Sequence, residues 1–200
     1  MSNFSLLVLA SASPRRRDLL AQIGVPHKVL AVDVDESALP GELPEQLARR
    51  LAREKAVAGR HRDGATRPVL GADTVVALGE QMFGKPRDEA DALQMLQALS
   101  GRWHRVFTAI ALALPGPQGA VLERCSDTEV QMRSIQIEEL RAYWASGEPQ
   151  GKAGAYAIQG QGAAFISNIR GSYSGVMGLP LYETAQLLQS QGLYGVPPPR

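Results

Sequence analysis

The stretch Leu6–Leu20, LLVLASASPRRRDLL, decides how this chain is read. Leu6 to Ala10 is an apolar run with the length and composition of a fully buried strand. Ser11, Ala12 and Ser13 turn the chain, and Pro14 takes the first helical position with Ser13 as a candidate N-cap. Arg15, Arg16 and Arg17 follow on the first turn. A helix N-terminus presents free N–H groups and the positive end of the macrodipole, so acidic residues are its usual occupants. One arginine there is explained by a solvated face. Three in a row, directly behind a buried strand, argue for a polyanion, most simply the phosphate chain of a nucleotide.

Outward from that stretch, Leu19, Leu20 and Ile23 stripe the helix and Gly24 stops it. Val25–Val32 reads as a second strand, which makes a βαβ unit and an at least partly parallel sheet. Asp33, Asp35 and Glu36 cluster just beyond. They read either as a polar loop with capping acids or as a hard-cation site, since polyphosphates travel with Mg²⁺ held by carboxylates. Pro44 opens the helix PEQLARRLAREKAVAGR, with Leu47, Leu51 and Ala52 on its apolar side. From periodicity alone, Lys55 reads as an ordinary exposed lysine. Val69–Leu78, VLGADTVVAL, is a strand by composition, yet it contains Asp73. A carboxylate inside a buried strand is costly unless paired, hydrogen-bonded or metal-bound, so Asp73 is a candidate functional group. Gly71 before it allows close approach of backbone or ligand.

Gly79 and Glu80 mark a hairpin tip, and Lys85 follows in the constrained loop Phe83–Pro86. Asp88 caps a helix that Gly101 ends. Trp103–Leu114 and Val121–Met132 form a hairpin around PGPQGA, so the sheet is expected to be mixed. Ile137–Ser146 is a helix. The glycine-rich stretch 151–174 carries Lys152, Tyr156, Gln159 and Arg170. Gly160 and Gly162 make half of a dinucleotide fingerprint, but no GxGxxG completes it and no leading βαβ unit holds it. GKP and GKA lack the hydroxyl of a P-loop. Pro180–Gln191 is the last amphipathic helix. The reading is one domain over residues 1–195, a frayed tail at 196–200, and a cleft between the early βαβ half and the later hairpin half.

The chain has 200 residues, ample for a real core, and a formal net charge of +1, so any polyanion site must be local. Cys125 is its only cysteine, which excludes an intrachain disulfide framework or a cysteine-based zinc site. His27, His61 and His104 form no HExxH pattern. No apolar run is long enough to span a membrane, and no basic region precedes the first apolar stretch. A cytoplasmic protein is therefore expected. Aromatic content of 6% and near neutrality speak against a single-stranded nucleic-acid groove.

Four stretches together resemble the Maf family of nucleoside triphosphate pyrophosphatases: SASPRRRDLL, GADTVV with GKP after it, LSGRWHRVFT, and KAGAYAIQG with NIRGSYSGVMGLPL. The resemblance implies an α/β fold, a mixed twisted sheet with flanking helices and two lobes around a central cleft, similar to inosine triphosphate pyrophosphatases. It implies hydrolysis of a triphosphate to monophosphate and pyrophosphate with a divalent cation, Mg²⁺ or Mn²⁺. Asp73 matches the family's proton acceptor, although one carboxylate could equally hold the cation. Ser11, Arg15, Arg16, Lys55, Lys85 and Lys152 match polar and basic substrate positions, and Glu36 an acidic position that helps hold metal. Arg15, Thr74 and Gln159 together look like the dTTP/UTP branch; a 7-methyl-GTP branch tends to carry Trp in place of Arg15. The expected partner is a nucleoside triphosphate, with no nucleic acid and no membrane, and a homodimer is left open. The family's link by name to septum formation adds a different class, a nucleotide-sensing regulator of cell division. Retention of Asp73 beside the lysines favours catalysis.

Overall fold

A computed structural model describes residues 6–195. The proposed tail at 196–200 lies outside the described residues. A seven-stranded sheet runs in the order β2-β1-β3-β5-β6-β7, with β4 paired to β3 off that path. Its strands are β1 (Leu7–Leu9), β2 (His27–Val29), β3 (Val69–Leu78), β4 (Gln81–Phe83), β5 (Trp103–Ala113), β6 (Val121–Met132) and β7 (Ile166–Arg170). The helices are α1 (Pro14–Gln22), α2 (Pro44–Arg62), α3 (Glu89–Leu99), α4 (Ile137–Ala145), α5 (Tyr173–Met177) and α6 (Leu181–Gln189). β1 is parallel to β2 and β3, and the remaining pairings are antiparallel, so the sheet is mixed.

Local chemistry explains most boundaries. Leu7, Val8 and Leu9 are fully buried. Pro14 opens α1, and Gly24 follows its end at φ 71°. Ser13 occupies the N-cap position, but its hydroxyl caps nothing; instead its N–H donates to Ser11 Oγ at 3.1 Å. The Asp88 side chain caps α3 by accepting from the Asp91 N–H at 2.8 Å. Gly79 and Glu80 form the two-residue turn between β3 and β4, with Leu78 opposite Gln81. β2 is shorter than the expected Val25–Val32, because this edge strand pairs only with three residues of β1.

Three apolar clusters hold the sheet. α2 covers one face of β3 and β5; α3 and α4 pack beside Val76, Val106 and Val130; α1 and α6 cover Leu70, Ile110 and Leu112. No helix among the described residues is long and apolar enough to cross a membrane.

The α2–β3 contact is backbone on backbone. A Cβ at Gly71 would stand 2.3 Å from the Ala52 carbonyl oxygen and 2.5 Å from the Ala56 nitrogen. Gly71→Ala should therefore lower stability by about 2–3 kcal/mol, an overpacking cost with no flexible neighbour to absorb it. Thermal unfolding checks this; a Tm equal to that of the parent protein would mean that α2 can move away freely.

Candidate active site

A gap in the sheet creates the site. On one side β3 pairs with β5 from Val69 to Ala77. On the other, β1 covers only Val69 and Leu70, and β4 only Val76 to Leu78. Residues 71–75 therefore present an open strand edge among the described residues. Because successive side chains alternate across a strand, Asp73 turns toward α2 and Thr74 toward the opposite face. A cleft of about 1050 Å³ passes through the gap, so both line it. Ser11, Arg15, Arg16, Glu36, Lys55, Asp73, Thr74, Lys85, Lys152 and Gln159 all line this cleft. The residues singled out from the sequence, spread over nearly 150 positions, thus come together.

Lys55 corrects the reading from periodicity. It is only 7% exposed, on the same α2 face as Leu47, Leu51 and Ala56. Four residues beyond Leu51, it continues the buried stripe. Its Nζ donates to Asp73 Oδ1 and to Glu36 Oε1, each at 2.6 Å. Asp73 is itself 7% exposed, so Lys55 is the counter-charge that makes its burial tolerable. Lys85 reaches in from the loop after β4 and donates to Glu36 Oε2 at 2.8 Å. Partial burial works to raise the Glu36 carboxyl, but the hydrogen bonds from Lys55 and Lys85 outweigh it and hold the group at about 2. Its pairing is thus complete above the ordinary carboxylate range and is lost only as pH falls toward that value.

Arg16 is fixed rather than free. Its Nε donates to the Gly178 carbonyl at 2.7 Å, and its terminal nitrogens reach Ser11 Oγ at 3.4 Å and Thr74 Oγ1 at 3.3 Å. Burial pushes this guanidinium below its ordinary value, and the charge of Asp73 opposes the shift. Arg15 donates to the Met177 carbonyl at 3.2 Å. Lys152 donates to the Glu148 carbonyl; burial first, then the charge of Arg15, lowers its pKa. The Gly154 N–H donates to the Gly84 carbonyl at 3.1 Å, which ties the Lys152 loop to the Lys85 loop. Gln159 is exposed on its side of the cleft.

Thr108 is a site-supporting residue that the sequence reading passed over. Fully buried, it donates to the Gly175 carbonyl at 2.7 Å and lies 3.0 Å from Thr74 Oγ1. The signal was present: a hydroxyl inside the apolar strand FTAIALA, the same kind of irregularity that marked Asp73.

Cations gathered around one buried, paired carboxylate, on an α/β sheet with a broken edge, define a cleft of positive lining with a single negative group deep inside it. The chain belongs to the Maf-like protein family, whose profile matches residues 6–191. It is 50% identical over 191 residues to the dTTP/UTP pyrophosphatase of Pseudoalteromonas atlantica, covering 94% of this chain and 98% of that one. It is 53% identical over 195 residues to the dTTP/UTP pyrophosphatase of Bordetella parapertussis, covering 94% and 93%. Among solved structures, a nucleoside-triphosphatase/dITP/XTP pyrophosphatase from Mycobacterium abscessus overlaps 64% of this chain and 74% of its own, with TM-score 0.39 and 18% identity.

The ion pair can be tested directly. Lys55→Met leaves Asp73 buried without its counter-charge and should cost about 3 kcal/mol in urea unfolding. Adding Asp73→Asn should restore much of that loss. Equal stability of Lys55→Met and the parent protein would show that Asp73 does not depend on this lysine.

Proposed function

We propose that this chain hydrolyses UTP and dTTP to the nucleoside monophosphate and pyrophosphate, removing unwanted pyrimidine triphosphates from the nucleotide pool. One observation carries the reading: five cationic side chains, Arg15, Arg16, Lys55, Lys85 and Lys152, line one cleft with a buried, paired carboxylate, Asp73. Relatives covering nearly the whole chain, named dTTP/UTP pyrophosphatase, support it.

Phosphoryl chemistry asks for positioning and charge neutralisation more than for covalent participation. Arg16, already oriented by Gly178 and Ser11, and the lysines of the cleft neutralise the triphosphate and the departing pyrophosphate. Lys55 holds one oxygen of Asp73, which leaves the other to orient a water and take its proton. A divalent cation fits the donor set. Among the described residues no group of three or more His, Cys, Asp or Glu could hold a metal. Glu36 and Asp73 supply hard carboxylate oxygens from one side, and Mg²⁺ or Mn²⁺ bound to phosphate needs only one or two of these. Such an ion would add Lewis-acid neutralisation of the phosphate charge.

Uracil and thymine share the O2, N3–H and O4 pattern, which the Gln159 carboxamide can read with a donor and an acceptor. A site built to pair polar groups rejects a base that leaves them unpaired better than one differing by a methyl. UTP and dTTP are then both accepted and CTP refused. A 7-methyl-GTP preference is disfavoured by Arg15, and a purely sensing role by the retained Asp73.

Product analysis tests the reaction: UTP should give UMP and pyrophosphate, and UDP with orthophosphate would overturn the assignment. Asp73→Asn should lower kcat by roughly 10²–10⁴-fold with the fold intact; near-parental turnover would move Asp73 to a structural role. Gln159→Glu should narrow the UTP-to-CTP ratio of kcat/KM, because an ionised carboxylate cannot donate to a base carbonyl. Uniform loss on all triphosphates would instead make Gln159 a loop brace.

A further inference from the structure

The Gly160-Gln161-Gly162 turn resembles half of a phosphate-binding fingerprint, yet no phosphate is needed to explain it. Its anion is internal. Glu148 sends its carboxylate into the turn, where the Gln161 N–H donates to Oε2 at 2.9 Å and the Gly162 N–H to Oε1 at 3.0 Å. Two successive backbone N–H groups aimed at one anion are the arrangement that glycine turns use for phosphate. The buried Tyr143 hydroxyl adds a third bond to Oε1 at 2.7 Å and accepts from the Ala157 N–H at 3.1 Å. Partial burial works to raise the Glu148 carboxyl, but these donors outweigh it and hold the group below its ordinary value.

The glycines follow from the carboxylate and from the tyrosine that holds it. Gly160 has φ −118°, outside the left-handed region that favours glycine. A Cβ at Gly160 would instead lie 2.2 Å from Glu148 Oε2, and one at Gly162 would lie 2.6 Å from the Tyr143 hydroxyl. Glu148 also acts through its main chain, since its carbonyl receives the Lys152 ammonium. One residue therefore grips both ends of the segment that brings Lys152 and Gln159 to the cleft.

We propose that Glu148 is the positioning residue of this loop, setting Lys152 for the phosphates and Gln159 for the base through an internal carboxylate seated in the Gly160–Gly162 turn. The proposal rests on the triphosphate reading of the cleft. It gives the diglycine turn a role in substrate selection without any contact to the substrate.

The experiment uses the full chain, with Glu148→Gln, Gly160→Ala and the double variant assayed for pyrophosphate release from UTP and CTP. Each single variant should raise KM for UTP by roughly tenfold, change kcat less, and narrow the UTP-to-CTP ratio of kcat/KM. The double variant should be little worse than the worse single one, because both disturb the same contact. Glu148→Asp, which keeps the charge, should recover part of the ratio. A lowered Tm with unchanged KM and ratio would overturn the proposal, as would fully additive losses. Parental protein that fails to cleave UTP would defeat the triphosphate reading alone. Amide exchange over residues 157–162 then decides: faster exchange in Glu148→Gln and Gly160→Ala supports the seated carboxylate, and unchanged exchange refutes it.

Discussion

A carboxylate in the middle of a sheet must bring a counter-charge inside with it, and the Lys55–Asp73 pair is how this chain meets that demand. Much of the architecture follows. For Lys55 to reach Asp73 at 2.6 Å, α2 must lie against β3 at backbone distance. Ala52, Ala56 and Gly71 provide that closeness, because no larger side chain would let the helix descend onto the strand. Gly59 serves the same contact one turn later, where a Cβ would meet Val69 and Ala10. The small-residue seam between α2 and β3 and the ion pair two residues from Gly71 are one design constraint, not two.

The strands that decide the topology were legible because they are long, apolar and bounded by turn residues. Val69–Leu78 and Val121–Met132 match their expected bounds, and the Gly79-Glu80 turn lies where it was read. Ile166–Arg170 and Tyr173–Met177 were not legible. β7 alternates weakly, with Ser167, Asn168 and Arg170 exposed, and among the described residues pairs only with β6. α5 is a five-residue helix begun by the Ser172 cap and stopped by Gly178 at φ 118°, too short for a periodicity to show. Both are fixed by tertiary contacts such as the Thr108 bond to Gly175, which no local pattern announces.

The site divides in the same way. Asp73 stood out because one charged residue interrupted a buried strand. Lys55 did not, because a lysine on a charged helix is unremarkable until its partner is known. Its position four residues after Leu51 was the available clue. The three arginines were read together as one anion-binding group, and their sequence neighbourhood concealed a difference between them. Arg16 is bound by three protein acceptors, Arg15 by one, and Arg17 pairs with Asp18 in solvent and does not line the cleft. A run of like residues on one helical turn thus separates by direction into a fixed group, an adjustable one and a surface one.

This separation bears on how the cleft can receive a highly charged ligand without collapsing when empty. Five cations facing one another would repel strongly in a space partly shielded from water. The protein holds them apart with its own acceptors: Glu36 takes Lys55 and Lys85, the main chain takes Arg15, Arg16 and Lys152. Carbonyl acceptors orient an arginine or lysine without neutralising it, so the positive potential of the cleft survives. Glu36 differs, because it carries a full negative charge and is exposed enough to move. An anion of higher charge entering the cleft would compete with Glu36 for both of its lysines. Lys55, by contrast, keeps its bond to Asp73, since letting go would strand a buried carboxylate. The arrangement therefore sets an exposed, exchangeable Lys85–Glu36 pair beside a Lys55–Asp73 pair that burial holds together, because separating the second would leave a carboxylate uncompensated inside the protein.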